Sequence, residues 1–139
     1  IVSAAKALKK KKLLGFLADQ DGYIHGLPVP FLGQPSSAVV GPATFAKKFG
    51  SPVVPIFASR KPEGGHIVHI LPPLHYNNSG DDDVDMYTLT EECVRVTEDF
   101  IREHTDEWIW FQHRWMTKMS EIVDYDKKLE IRERAHEKQ

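Results

Sequence analysis

The sequence predicts an α/β fold, and three observations predict it. Segments with helical spacing alternate with short apolar runs suited to strands. Glycine and proline punctuate the joints between them. The balance of 41% hydrophobic and 27% charged residues is that of a soluble globular chain, neither disordered nor fibrous. At 139 residues the chain fits one domain or a piece of one.

Residues 1–12 read as the end of a helix. Ala4, Ala5, Ala7 and Leu8 are good helix formers, and Lys6 and Lys9 to Lys12 suit a helix C-terminus. Leu13 to Ala18 is a short apolar run, read as a buried strand. Asp19 to Ser37 is rich in Gly and Pro and reads as a long ordered loop, a length usually reserved for function. A short helix follows, from about Gly41 to Lys48, with Pro42 in its first turn and Gly50 ending it. Val53 to Ser59 and His66 to Leu71 read as strands joined by the Pro62, Gly64, Gly65 turn, hence a hairpin.

Asn77 to Asp85 is polar and acidic and reads as a solvated loop. Thr88 with Glu91 forms a capping box for a helix, and Leu89, Cys93, Val96 and Phe100 recur at helical spacing as its buried face. Trp108 to Trp115 is dense in aromatic residues, and beyond Ser120 the charged chain reads as an exposed or frayed helix. The expected organisation is therefore residues 1–118 as one unit and 119–139 as a charged helical tail.

Charge excludes some functions. A net charge of -2 argues against a nucleic-acid binder. One cysteine, Cys93, allows no internal disulfide and no Cys-based zinc site; on the buried stripe it is expected to be inert. His66 and His69 are three apart on a strand and point to opposite faces. Asp81, Asp83, Asp85 and Glu92 mimic calcium-loop positions, but Met86 stands where that loop needs Gly. No metal and no cofactor is expected. Apolar runs fall short of the ~20 residues of a membrane helix, and the start at Ile1 reads as that of a fragment or processed form.

Several polar groups are candidates for chemistry. Asp19 and Asp21 would sit at the carboxyl end of the first strand, where ligands bind in open α/β sheets. A carboxylate there can orient a histidine base or bind hydroxyls; the plainer alternative is a turn built by Asp21-Gly22. Arg60 and Lys61, at the hairpin, can face phosphate or be an ordinary solvated turn. His113 and Arg114 lie among three tryptophans and suit a lipid–water interface, or a core helix with a snorkelling Arg. Lys9 to Lys12 can meet an acidic carrier protein or anionic membrane, or be a solvated helix end.

Three motifs recur in one order: Leu17-Ala18-Asp19-Gln20-Asp21 with Val29-Pro30-Phe31-Leu32-Gly33, then Pro55 to Gly64, then Trp108 to Trp115. In that order and spacing, over about residues 1–118, the chain resembles the lipid A biosynthesis lauroyl/myristoyl acyltransferase family. The resemblance implies the C-terminal half of a glycerolipid-acyltransferase-like α/β fold. It implies transfer of a fatty acyl chain from acyl carrier protein, or acyl-CoA, to a hydroxyl of a lipid A precursor, at the cytoplasmic face of the bacterial inner membrane. It implies supporting catalytic roles for Asp19 and Asp21 and substrate contacts for Arg60, Lys61, His113 and Arg114. The family's base, in a His-x-x-x-x-Asp/Glu motif, is not in this sequence and would lie upstream, leaving this chain alone inactive. The family's His-Arg-Arg is here His113-Arg114-Trp115. The alternative is a non-catalytic lipid- or carrier-binding module.

Overall fold

The computed structural model of the protein describes residues 2–75 and 78–137. The Asn77 end of the acidic loop, and Ile1 of the first helix, lie outside the described residues. Among the described residues the α-helices are α1 (Val2–Lys9), α2 (Gly41–Phe49), α3 (Asp82–Glu103) and α4 (Tyr125–Glu137). Two small antiparallel ribbons are β1 (Leu27–Pro28) with β2 (Ser37–Ala38), and β3 (Ile56–Arg60) with β4 (His66–Ile70). The fold is thus a mixture of helices and small antiparallel sheets. No helix among the described residues is long and apolar enough to cross a membrane.

The α2 helix forms as its sequence demands. Pro42 sits in the first turn, where its missing N–H costs nothing. Gly50 ends it at φ 60°, left-handed backbone that glycine adopts without strain, and its N–H donates to Ala46 O.

The α3 helix begins earlier than the Thr88–Glu91 box predicts. The Asp81 side chain caps it, accepting from the Asp83 and Val84 N–H groups, each at 3.2 Å. Asp82, Asp83 and Asp85 in the first turn complement the helix dipole. Thr88 lies inside the helix, its hydroxyl donating to Val84 O. The acidic stretch read as loop is therefore the start of the central helix.

The expected buried face of α3 also needs revision. Val84, Tyr87, Val94 and Ile101 enter the main core with Leu27, Val29 and Phe31. Leu89 and Cys93 instead meet Ala43 and Ala46 of α2. Phe100 stacks on Phe57 of β3, ring centroids 4.4 Å apart. A helix with neighbours on several sides has no single apolar stripe.

The predicted hairpin is present in full register, Ile56 opposite Ile70 and Arg60 opposite His66. Its ladder runs on past the strands, since Leu71 N donates to Pro55 O and Leu74 N to Val53 O. Leu13 to Ala18, by contrast, is not a strand. Leu13 is 100% exposed, and no described strand lies alongside to pair with the segment. A strand needs partners for its backbone groups, whatever its apolar content. Phe16 turns back onto α2: a Cβ at Gly41 would meet its ring at 2.6 Å.

The charged C-terminal helix is docked rather than frayed. Ile131 and Ala135, four apart, are buried with the α3 residues of the main core. Arg134 pairs with Asp81 at 3.2 Å and His136 with Glu91 at 3.0 Å. Two apolar side chains on one face suffice when a long helix offers a matching groove.

Candidate functional site

The Asp19–Ala38 loop and the segment from His104 to Thr117 fold against each other, and most of the sequence-predicted site residues lie there. The loop is ordered by hydroxyls. Ser36 Oγ donates to Val29 O and Ser37 Oγ to Tyr23 O, both at 2.6 Å. Gly22 N donates to Ser37 O, and a Cβ at Gly22 would meet Ala38 O at 2.5 Å, so only glycine allows the close approach. At Phe31–Gln34 the chain reverses through Leu32 and Gly33, both with positive φ. Leu32 N donates to Glu98 of α3 at 2.8 Å, fixing the turn to the central helix.

Asp21 is buried. Its carboxylate accepts from Tyr23 N at 2.7 Å, Thr117 Oγ1 at 2.6 Å and Thr117 N at 3.0 Å. It thus joins two segments 96 residues apart. Asp19 is half-exposed and accepts at one oxygen, Oδ2, from Trp108 Nε1 and Gln112 Nε2, each at 3.3 Å. Its other oxygen has no hydrogen-bond donor among the described residues. Because Leu13 to Ala18 is not a strand, neither carboxylate sits at a strand end; the His104–Thr117 segment positions both.

Arg114 is 1% exposed. Nη1 donates to Ser37 O at 2.9 Å, and the guanidinium lies 4.4 Å from the centre of the Phe31 ring. Nε and Nη2 are buried with no hydrogen-bond partner among the described residues. These two atoms form one edge of the guanidinium, the fork that matches two oxygens of a carboxylate or phosphate. Burial pulls the Arg114 guanidinium below its ordinary value, opposed by the Asp21, Asp19 and Glu98 carboxylates. Trp108 and Trp115 pack on Phe31 from the same segment. His113, next in sequence, is exposed.

Arg60 and Lys61 lie apart from the carboxylates, at the end of the hairpin. Arg60 N donates to Glu107 Oε2 at 2.7 Å, and its guanidinium reaches Asp106 at 3.5 Å. The hairpin is thereby tied to the turn that leads into Trp108. Lys61 is exposed. On the inner hairpin face Ser59 Oγ lies 2.8 Å from His69 Nε2, and His69 packs against Phe100 and His104. His66 faces solvent.

The acidic residues that mimic a calcium loop are engaged otherwise. Asp81 caps α3, and buried Asp85 accepts from Lys47 Nζ at 2.5 Å and Ser79 N at 2.9 Å. Burial pushes the Asp85 carboxyl up, but these bonds pull further, and its pKa lies below the usual 3.8. No group of three His, Cys, Asp or Glu fit to hold a metal occurs among the described residues. Burial pushes the Cys93 thiol up to about 12, which keeps it protonated. A cleft of about 340 Å³ between Val29–Pro30 and α3 is lined by Val94, Glu91, Glu92 and Arg95, and by none of Asp19, Asp21, His113 or Arg114.

Sequence reasoning missed Thr117, Gln112, Ser36 and Ser37. None carries a motif of its own; each is defined by a partner distant in sequence. The family model for bacterial lipid A biosynthesis acyltransferases matches residues 1–117. A search of curated proteins found no match.

Proposed function

Because the chain belongs to the bacterial lipid A biosynthesis acyltransferase family, we propose that it builds the acceptor side of an acyl-transfer site. A fatty acyl chain passes from acyl carrier protein, or acyl-CoA, to a hydroxyl of a lipid A precursor at the cytoplasmic face of the inner membrane. One observation carries the reading. Asp19 and Asp21 are both held by the Trp108–Thr117 segment, 89 or more residues further on, and one oxygen of half-exposed Asp19 has no hydrogen-bond donor among the described residues.

On this reading the base is a histidine, paired with a carboxylate, outside these 139 residues. It takes the proton of the acceptor hydroxyl. The oxygen attacks the thioester carbonyl, preorganised donors hold the oxyanion, and the thiolate leaves with the proton returned to it. The free oxygen of Asp19 accepts from the acceptor hydroxyl or orients the base. Asp21 supports Asp19 by holding the loop to Thr117. Arg114 lies behind the pair as a buried cation, its Nη1 donating to Ser37 O. Exposed His113, Arg60 and Lys61 contact the polar groups of the acceptor.

The test is acyl transfer by the full-length gene product. Asp19→Asn, which keeps an acceptor for Trp108 and Gln112, should lower kcat/KM by about 100-fold, with the thermal midpoint little changed. Unchanged turnover sinks the assignment. A second reading rests on its own observation, that no histidine of this sequence begins a His-x-x-x-x-Asp/Glu motif. The chain is then a lipid- or carrier-binding module. Full-length product that binds acyl carrier protein yet transfers nothing favours it.

A further inference from the structure

The first acidic residue of the chain is Asp19, and five lysines precede it: Lys6 and Lys9 to Lys12. All five are exposed. None of them forms an ion pair among the described residues. Asp19 itself accepts from Trp108 and Gln112. The α1 helix lies against α2, which contains no acid. Asp82 and Asp85 reach α2 from α3, and both are taken by Lys47. Lys48, next in sequence, is a further exposed cation. The segment is therefore positive, and no acid among the described residues offsets it by direct pairing.

A lysine run by itself is a solvated helix end. What distinguishes this one is the apolar chain joined to it. Leu13 is 100% exposed, Leu17 73% and Phe16 40%. The segment is also held at both ends. Lys11 takes left-handed backbone at φ 54°, and Lys12 N donates to Ala7 O at 3.0 Å, which closes α1. Phe16 packs on Phe45 of α2, ring centroids 5.7 Å apart. Between these two anchors Lys12 and Leu13 stand side by side in the chain, both open to solvent.

Exposed cations adjoining exposed leucines match an anionic bilayer on both counts. Ammonium groups sit among the headgroups while neighbouring apolar side chains reach the acyl boundary. A nucleic acid would use the lysines and leave the leucines in water. We infer that the Lys6–Leu17 segment docks on the surface of an anionic lipid bilayer, lysines at the headgroups and Leu13 and Leu17 at the acyl boundary. The inference stands on charge and exposure and does not require the acyl-transfer reading.

The full 139-residue chain is sedimented with vesicles of phosphatidylglycerol and phosphatidylcholine, and with vesicles of phosphatidylcholine alone. Binding is expected only where phosphatidylglycerol is present, and should weaken as salt rises. Glutamine at Lys9, Lys10, Lys11 and Lys12 together should weaken it by about 100-fold or more. Arginine at the same four positions keeps the charge and should retain binding, which separates lost charge from lost folding. Leu13→Ser with Leu17→Ser should weaken binding by about tenfold. Lys118→Gln with Lys127→Gln, exposed lysines elsewhere, should leave it unchanged. Absence of vesicle binding overturns the inference, as does equal binding to phosphatidylcholine alone. So does binding that either the four glutamines or the two serines leave intact. Lysine-dependent binding to acyl carrier protein without vesicle binding would assign the segment to an acidic protein and overturn it too. Acyl transfer is not measured, so failure of the functional reading and failure of this docking are separate results.

Discussion

The Asp19–Ala38 loop and the β3–β4 hairpin reverse the usual relation between regularity and burial. The loop has four residues in strands, yet Val29, Phe31, Ser36, Ser37 and Ala38 are among the most buried in the protein. The hairpin has a five-pair ladder, yet Ile56, Val68 and Ile70 face solvent. The difference lies in where the bonds go. The loop spends its polar groups on partners distant in sequence: Asp21 on Thr117, Ser37 on Arg114, Leu32 on Glu98. The hairpin spends its backbone on itself and touches the body through Phe57, His69 and Arg60. Irregular backbone can be buried only when such long-range bonds satisfy it.

The largest expected effect comes from breaking the loop at its centre. Asp21→Asn loses charge-assisted bonds from Tyr23 N and Thr117 and removes the largest carboxylate influence on buried Arg114. Global stability should fall by about 3 kcal/mol, read as a shift of the urea midpoint. A loss below about 0.5 kcal/mol would mean that the loop is held by packing alone.

A second buried carboxylate sharpens the point by its pH dependence. Asp85 joins α3 to Lys47 of α2, and its pKa is depressed in the folded state. The unfolded chain therefore binds the proton first as pH falls. The stability Asp85 contributes is present above the unfolded value, near 3.8, and is lost as pH drops through the lower folded value. Asp85→Asn should cost about 2 kcal/mol at neutral pH. It should also flatten the fall of the urea midpoint as pH drops below the ordinary value of 3.8. An equally steep fall in the variant would place the acid sensitivity elsewhere.

These bonds also mark what was legible in the sequence. Elements whose signals are local could be read: α2 with Pro42 and Gly50, and the hairpin with its Gly64-Gly65 turn. The order of the three motifs was enough to place the family. What failed needed neighbours. Leu13 to Ala18 has a strand's composition but no partner. Two caps competed at α3, and Asp81, followed by three acids in the first turn, prevailed over Thr88. The tail looked frayed because Ile131 and Ala135 count for little until α3 offers a surface. Of the candidate site, the Asp19–Asp21 pair and the aromatic segment were visible. That one carboxylate is buried and the other half-exposed was not, because Thr117, Trp108 and Gln112 decide it.

The hairpin gives the smaller effects. Phe57→Ala removes the stack on Phe100. It should raise hydrogen exchange in β3 and β4 by about tenfold or more while the core amides of α3 keep most of their protection. Equal acceleration in both would show the hairpin and α3 to be one cooperative unit.

The smallest effect is expected on the outer face, where Ile56, Ala58, Val68 and Ile70 alternate with the inward residues. All four are exposed, so Ile70→Thr removes little apolar contact and keeps the β-branched shape suited to a strand. The stability of the isolated chain should change by less than about 0.5 kcal/mol. The same substitution in the full-length gene product makes the comparison decisive. If the cost stays small there, the hairpin face is solvated in the working protein. If it rises toward the 1–3 kcal/mol of a buried aliphatic residue, another part of that protein covers it. The exposure of so regular an element would then belong to these 139 residues rather than to the enzyme.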